Sequence, residues 1–411
     1  MKVLLSCAGY SDPIRNYHDG ALLHIARVKR PDKIIIIHSE DSQKRAKKIV
    51  FAINKISKDY KPEIIEANKM ITDVAYFDKV FHQLSAIVSE YTNDTDEFIL
   101  NLSSGTPQMK SAFFAINQIY DYNFQAVQVL TPAHSANTGI KHETNEDIIS
   151  LVETNYDNQD SFENRLVVDK AVKFSQTLTI RNFLALIDQY DYIGARDLIQ
   201  MQKGFPNRKV IFNHLDREII PDLQQNKLPK EIQKLSASED FKKTLYSFLI
   251  IQMKYERGEI AEVLIRIQSL VEYVLAYYLS KHYPNIFREK EGVNYLNAKE
   301  YPKIESYLIS EAKEAGRIYR DNFLGLMKYY DILYFLDSEN QLLEEVKPII
   351  EVRHMRNSVA HRLDEIPNWN YRKIRQAYRA TENIMNLVFK FSDSSLSFYD
   401  NINDELRSYF T

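Results

Sequence analysis

Cysteine is nearly absent from this chain of 411 residues: Cys7 is the only one. Neither a disulfide framework nor a cysteine-rich metal site can organise the fold. Glycine is scarce, with ten residues, and the first strand-to-helix turn carries no G-x-G-x-x-G run. Glu40 follows the second strand, as a dinucleotide-binding enzyme would require, but the missing run and Asp12 in the first turn, which would repel a pyrophosphate, count against that reading. No apolar run approaches the length of a membrane span. The opening stretch Met1–Ser6 is too short for a signal peptide, so a cytoplasmic protein is expected. Positive charge is not in excess. The formal net charge is −3, which excludes a generally basic nucleic-acid coat and leaves room for a local basic groove.

Hydrophobic residues make up 45% of the chain and charged residues 27%, with 27 Tyr and 21 Phe. That composition belongs to a globular protein, and the length allows two or three domains. The pattern divides it into residues 1–152, 153–237 and 238–411. In the first part, strand-like runs (Lys2–Ser6, Lys33–His38, Glu63–Glu66, Phe98–Leu102, Ala126–Leu130) alternate with amphipathic helical runs (Pro13–Arg30, Ser42–Ser57, Tyr76–Tyr91, Pro107–Tyr120). This rhythm predicts an α/β domain with a parallel sheet covered on both faces. The four consecutive isoleucines of Lys33–His38 mark a strand buried on both sides. Glu153–Asn164 is polar and acidic and reads as a linker, followed by a helical connecting region. From about Ser238 onward the pattern is helical throughout. Ile260–Tyr278 carries one wide apolar stripe, and Pro348 is expected to open the helix bearing Arg356.

Two turns of the first domain match each other. Gly9-Tyr10-Ser11-Asp12-Pro13 follows the first strand and Ser103-Ser104-Gly105-Thr106-Pro107 the fourth. In each, a capping residue precedes a proline suited to the first helical position. Both lie at the carboxyl ends of strands, where open α/β sheets bind ligands. Hydroxyls of Ser103, Ser104 and Thr106 beside helix-start amides suit a phosphate.

The chemistry in the last third centres on Arg356-Asn357-Ser358-Val359-Ala360-His361. A histidine moves protons near neutral pH, an arginine braces a phosphate as its charge grows, and Asn357 can hold either. Five residues at about 100° each leave Arg356 and His361 roughly 140° apart on an ideal helix, so a site made from them needs a helix end, a bend or a second copy. Arg372, Arg375 and Arg379 form a basic face that could follow a phosphate backbone. Near Arg356 there is no D-x-D, H-E-x-x-H or carboxylate pair, and no metal is expected.

The opening K-V-L-L-S-C-A-G-Y-S-D-P-I-R, the turn L-N-L-S-S-G-T-P-Q-M-K and the late R-N-S-V-A-H, in that order, resemble the CARF–HEPN ribonucleases of type III CRISPR systems, above all their type III-A (Csm) branch. The resemblance spans nearly the whole chain. It implies a Rossmann-like CARF sensor of cyclic oligoadenylate, a helical HEPN domain with metal-independent endoribonuclease activity on single-stranded RNA, and a homodimer with no cofactor, membrane or stable DNA partner. By position it implies Arg356 and His361 as catalytic residues with Asn357 beside them. Gly9, Ser11, Asp12, Ser104, Gly105, Thr106 and Gln108 become ligand contacts. Where many relatives have Asn, this chain has Tyr10. His134 matches a position that some members use to degrade their own activator. The implied activator is cyclic hexaadenylate, with cyclic tetraadenylate as the alternative. A non-catalytic nucleotide sensor whose helical part binds RNA or a partner is the competing function.

Overall fold

The structure is a computed structural model that describes residues 1–120, 122–132, 147–168, 170–202, 204–316, 318–319, 324–358 and 370–410. The chain forms two compact units, Met1–Ser175 and Gln176–Thr411.

The first unit is built on a six-stranded sheet. Its strands are β1 (Lys2–Cys7), β4 (Lys33–Ile37), β5 (Glu63–Glu66), β6 (Glu97–Asn101), β7 (Phe124–Val129) and β8 (Leu166–Val168), with β2 (Ile14–Arg15) and β3 (His18–Asp19) set apart as a small hairpin. The sheet order is β5-β4-β1-β6-β7-β8. All neighbours are parallel except β8, which runs antiparallel to β7. The two-residue period of a strand divides the apolar side chains between two cores. Leu5, Cys7, Ile35 and Ile37 face the helices Phe77–Tyr91 and Pro107–Ile119. Leu4, Ile34 and Ile36 face the helices Ala21–Lys29 and Ala46–Asn54. All four isoleucines of β4 are fully buried, each contributing about 1.5–3 kcal/mol. The expected three-layer α/β arrangement is what forms.

Three local expectations are corrected. Pro13 does not open a helix: the Asp12–Pro13 bond is cis, the β2–β3 hairpin follows, and the helix begins at Ala21. Asn16 and Tyr17, both with positive φ, make the two-residue turn that suits a twisted hairpin. Glu153–Asn164 does not link the units but lies within the first: Asn155 and Asp157 are buried, and the chain continues into β8. Pro348 lies inside the helix Gln341–Asn357, which is opened by Asn340 accepting from the Leu342 amide at 3.1 Å. Burial of Leu342, Leu343, Val346, Ile349, Val352 and Met355 outweighs the hydrogen bond that the proline removes.

The second unit is largely helical. Helices Glu239–Glu256, Ile260–His282, Leu326–Leu336, Gln341–Asn357 and Tyr371–Phe389 share one core, and Phe183, Ile187, Tyr192 and Ile199 from the middle of the chain belong to it. The Tyr192 hydroxyl donates to Asn403 Oδ1 at 2.9 Å, and Asn403 Nδ2 donates to the Ile187 carbonyl at 2.8 Å. The stripe on Ile260–His282 is buried as its spacing predicts. An antiparallel pair, β9 (Phe287–Lys290) and β10 (Val293–Leu296), interrupts the all-helical expectation. Glu291 and Gly292 between them both have positive φ, the backbone of a tight hairpin turn. No helix among the described residues is long and apolar enough to cross a membrane.

Candidate functional site

Chain order places a switch point in the sheet. From β1 the chain adds β4 and β5 on one side, then returns to add β6 and β7 on the other. In such sheets the crevice lies beyond the carboxyl ends of the two strands at the reversal, here β1 and β6. The two turns singled out in the sequence follow those strands, and they touch. A Cβ on Gly9 would lie 2.8 Å from the Gly105 amide nitrogen and 3.3 Å from the Ser104 Cα. Gly105 has φ +96°, and a Cβ there would meet Met109 Sδ at 2.9 Å and Cys7 Cβ at 3.0 Å. Glycine is needed at one position for close approach and at the other for conformation as well.

Buried polar contacts hold the second turn. Asn101 Oδ1 accepts from the amides of Ser103 (2.8 Å) and Ser104 (3.3 Å), while its Nδ2 donates to the Ser6 hydroxyl at 2.8 Å. The Ser103 hydroxyl accepts from the Val129 amide at 2.8 Å, so it ties β6 to β7. Thr106 is the N-cap of Pro107–Ile119 and accepts from the Met109 amide at 3.3 Å, as expected of that position. Gln108 stands in the first turn of the same helix, partly exposed.

In the first turn Ser11 is partly exposed, and Asp12 faces inward. Its carboxylate accepts from the Gly9 amide at 2.7 Å and from the Leu22 amide at 3.1 Å. It therefore caps the helix Ala21–Lys29 from ten residues upstream, rather than a helix of its own. Burial raises its pKa, against the stabilising Gly9 amide, Ser104 hydroxyl, Leu22 amide and Arg45. Arg45 Nη1 donates to the carbonyls of Tyr10 (2.7 Å) and Asp12 (3.2 Å) and locks the turn from outside. The structure thus brings Gly9, Asp12, Ser104 and Gly105 together. His134 lies outside the described residues.

In the second unit Arg356 and Asn357 close the helix Gln341–Asn357, with Ser358 as its C-cap. Arg356 Nη1 donates to Asn357 Oδ1 at 3.1 Å, and a cation in the last turn complements the helix dipole. His361 lies outside the described residues. The helix Tyr371–Phe389 packs against this one and buries Ile374, Ala377 and Ala380, leaving Arg372, Arg375 and Arg379 exposed.

Sequence reasoning missed a buried ionic cluster in the first unit. Asp19, His24 and Asp157 are the three described side chains close enough to share a metal ion, but two arginines already occupy the carboxylates. Arg27 pairs with Asp19 at 2.6 Å, and Arg165 with Asp157 at 2.9 Å. His24 Nε2 accepts from the Arg165 amide at 3.0 Å, so a neutral ring carries its proton on Nδ1. Burial, with Arg165 next to it, pushes His24 down to about 4 against the pull of Asp19 and Asp157. The cluster is an ion-pair network fastening residues 155–165 to the sheet. Its members are up to 146 residues apart in sequence, and no local spacing announces it.

A family model described as the Cas_Csm6 CARF domain matches residues 62–166, and one described as the Cas_Csm6 HEPN domain matches residues 229–407. The chain is 36% identical over 405 residues to the CRISPR system endoribonuclease Csm6′ of Streptococcus thermophilus, covering 98% of each. It is 30% identical to the CRISPR system endoribonuclease Csm6 of Enterococcus italicus, covering 95% of each. Among solved structures, Enterococcus italicus Csm6 bound to cyclic hexa-2′-fluoro-hexa-dAMP matches with a TM-score of 0.69 and 28% identity over 100% of both chains.

Proposed function

The chain belongs to the Csm6 family of CRISPR endoribonucleases, and from that premise we propose that it is a cytoplasmic, metal-independent nuclease of single-stranded RNA, switched by a cyclic oligoadenylate. The observation that carries the nuclease reading is the Arg356–Asn357 pair at a helix end, with Arg356 five residues before His361. In this reaction the RNA 2′-hydroxyl attacks the adjacent phosphate. His361 moves the proton, and Arg356, oriented by Asn357, stabilises the charge that builds on phosphorus. The products are a 2′,3′-cyclic phosphate and a 5′-hydroxyl.

The switch is assigned to the contacting turns at the carboxyl ends of β1 and β6. Gly9, Ser11, Ser104, Gly105, Thr106 and Gln108 are proposed to meet the ligand, with Asp12 shaping the turn beneath them. The activator is taken as cyclic hexaadenylate, the likeness being to a relative solved with a six-membered analogue; the tetramer is the alternative. The reading includes slow cleavage of the ring by the CARF domain, involving His134, as a self-limiting timer.

The test is RNA cleavage in EDTA with cyclic hexaadenylate, cyclic tetraadenylate or linear hexaadenylate, followed by analysis of the product ends. Stimulation by the six-membered ring and cyclic-phosphate ends are expected. The His361→Ala protein should lose about 10²–10⁴ in rate while still binding the ring, and ring linearised by that variant would report the timer. Ring binding without any cleavage of RNA would select the non-catalytic sensor instead.

A further inference from the structure

Tyr10 has surroundings that are unusual for a surface tyrosine. It follows Gly9 directly, in the turn at the sheet's switch point, and it is 64% exposed. Two guanidinium groups gather on its ring: Arg15 at 4.6 Å and Arg45 at 5.6 Å from the centroid. Arg45 is fixed there by donating to the Tyr10 and Asp12 carbonyls. Among the described residues neither Arg15 nor Arg45 forms an ion pair with a carboxylate. The turn therefore presents a largely exposed tyrosine ring with two guanidinium groups against it, of which Arg45 also faces the buried Asp12 carboxylate while Arg15 forms no ion pair among the described residues.

That combination suits a ligand that is both aromatic and anionic. Stacking on an aromatic side chain needs only the π-face that every base has, and guanidinium groups meet phosphate oxygens in paired geometry. We propose that Tyr10 is a stacking platform for one adenine of the cyclic oligoadenylate, with Arg15 and Arg45 meeting the phosphates beside that base. Tyr10 is thus a residue that sets affinity for the ring. The inference rests on the sensor reading of the first unit. It adds to it by placing a base, and not only phosphates, against the β1 turn.

The test uses the full chain and a cyclic hexanucleotide carrying 2-aminopurine in place of one adenine. Binding is measured by calorimetry for wild type, Tyr10→Ala, Tyr10→Phe and Arg15→Gln. Tyr10→Ala should bind roughly ten- to a hundredfold more weakly and should lose the fluorescence quenching that stacking causes. Tyr10→Phe should keep both, since the ring and not the hydroxyl does the work. Arg15→Gln should weaken binding and flatten its salt dependence. If wild type binds the ring and Tyr10→Ala loses less than tenfold, the platform is refuted while the sensor stands. Wild type binding no ring overturns both. Since Tyr10 is largely exposed, unchanged thermal melting of Tyr10→Ala is expected and separates a binding loss from misfolding.

Discussion

Gly9 joins the two turns because nothing larger fits: any Cβ there would press on the Gly105 amide at 2.8 Å. Backbone atoms cannot step aside as a flexible side chain can, so Gly9→Ala must push the β1 and β6 turns apart. On the proposed sensor reading, the expected result is loss of ring binding by at least tenfold, with the proposed catalytic pair in the other unit untouched. RNA cleavage would then need far more activator to reach the same rate. Calorimetry with cyclic hexaadenylate checks this, and wild-type affinity in Gly9→Ala would show that the contact does not shape the site. Asp12 makes a second demand on the same turn. Both amides that it accepts from are donors, so Asp12→Asn must leave one of them facing an NH₂ group. An unsatisfied buried donor costs about 1–3 kcal/mol. A measurable loss of stability in denaturant is expected, and a melting curve like that of wild type would argue against a capping role.

At the scale of elements, the segment from Asn155 to Leu166 depends on charge rather than on apolar burial. Arg165 donates to Asp157, to the Asp19 carbonyl and to the Leu130 carbonyl. Burial would raise the Asp157 pKa, but contact with His18, the Asp19 amide and Arg165 outweighs it and holds the group below the usual range. Asp19, Asp157, Arg27 and Arg165 surround His24, with the Phe162 ring edge-on to it. His24 stays neutral in the folded protein to about pH 4, whereas an unfolded histidine protonates near 6.5. Between those values the unfolded chain binds the extra proton, so stability falls as pH drops through this window and is unaffected by His24 above it. Each unit of difference is worth about 1.4 kcal/mol. Hydrogen exchange at Ala21–Lys29, corrected for intrinsic rates, should show protection falling from about pH 6.5 to 4 in wild type and less steeply in His24→Gln. Equal slopes would remove His24 from the account. This network also marks where reading a sequence stops. The isoleucines of β4, the stripe on Ile260–His282 and the Thr106 cap were legible because period and capping are local. Asn155 and Asp157 read as part of a linker because their partner Asp19 lies more than 130 residues away. Pro13 and Pro348 misled for a related reason: a hairpin turn and a buried apolar face overrode a local proline rule.

For the whole molecule, the open issue is how many chains make one active site. An uninterrupted helix would hold the positions of Arg356 and His361 about 140° apart, and Asn357 already engages the Arg356 guanidinium. The described helix ends at Asn357, so the two proposed catalytic groups can meet one phosphate either across that helix end or by pairing two copies of the motif at one cleft, and the second arrangement is the one tested below. A two-fold interface is self-complementary, so each motif would meet its own copy, and a six-membered ring of identical nucleotides has the two-fold symmetry to sit on the same axis. Two expectations follow from that geometry. Sedimentation should show a dimer, and calorimetry should give one ring for every two chains. If each site draws on both chains, replacing half of the subunits at random with Arg356→Ala protein should leave only roughly a quarter of the activity, the share of dimers with two intact copies. A fall to one half, in proportion to the wild-type fraction, would mean that each chain carries a complete site. An active monomer in the centrifuge would end the two-chain argument outright.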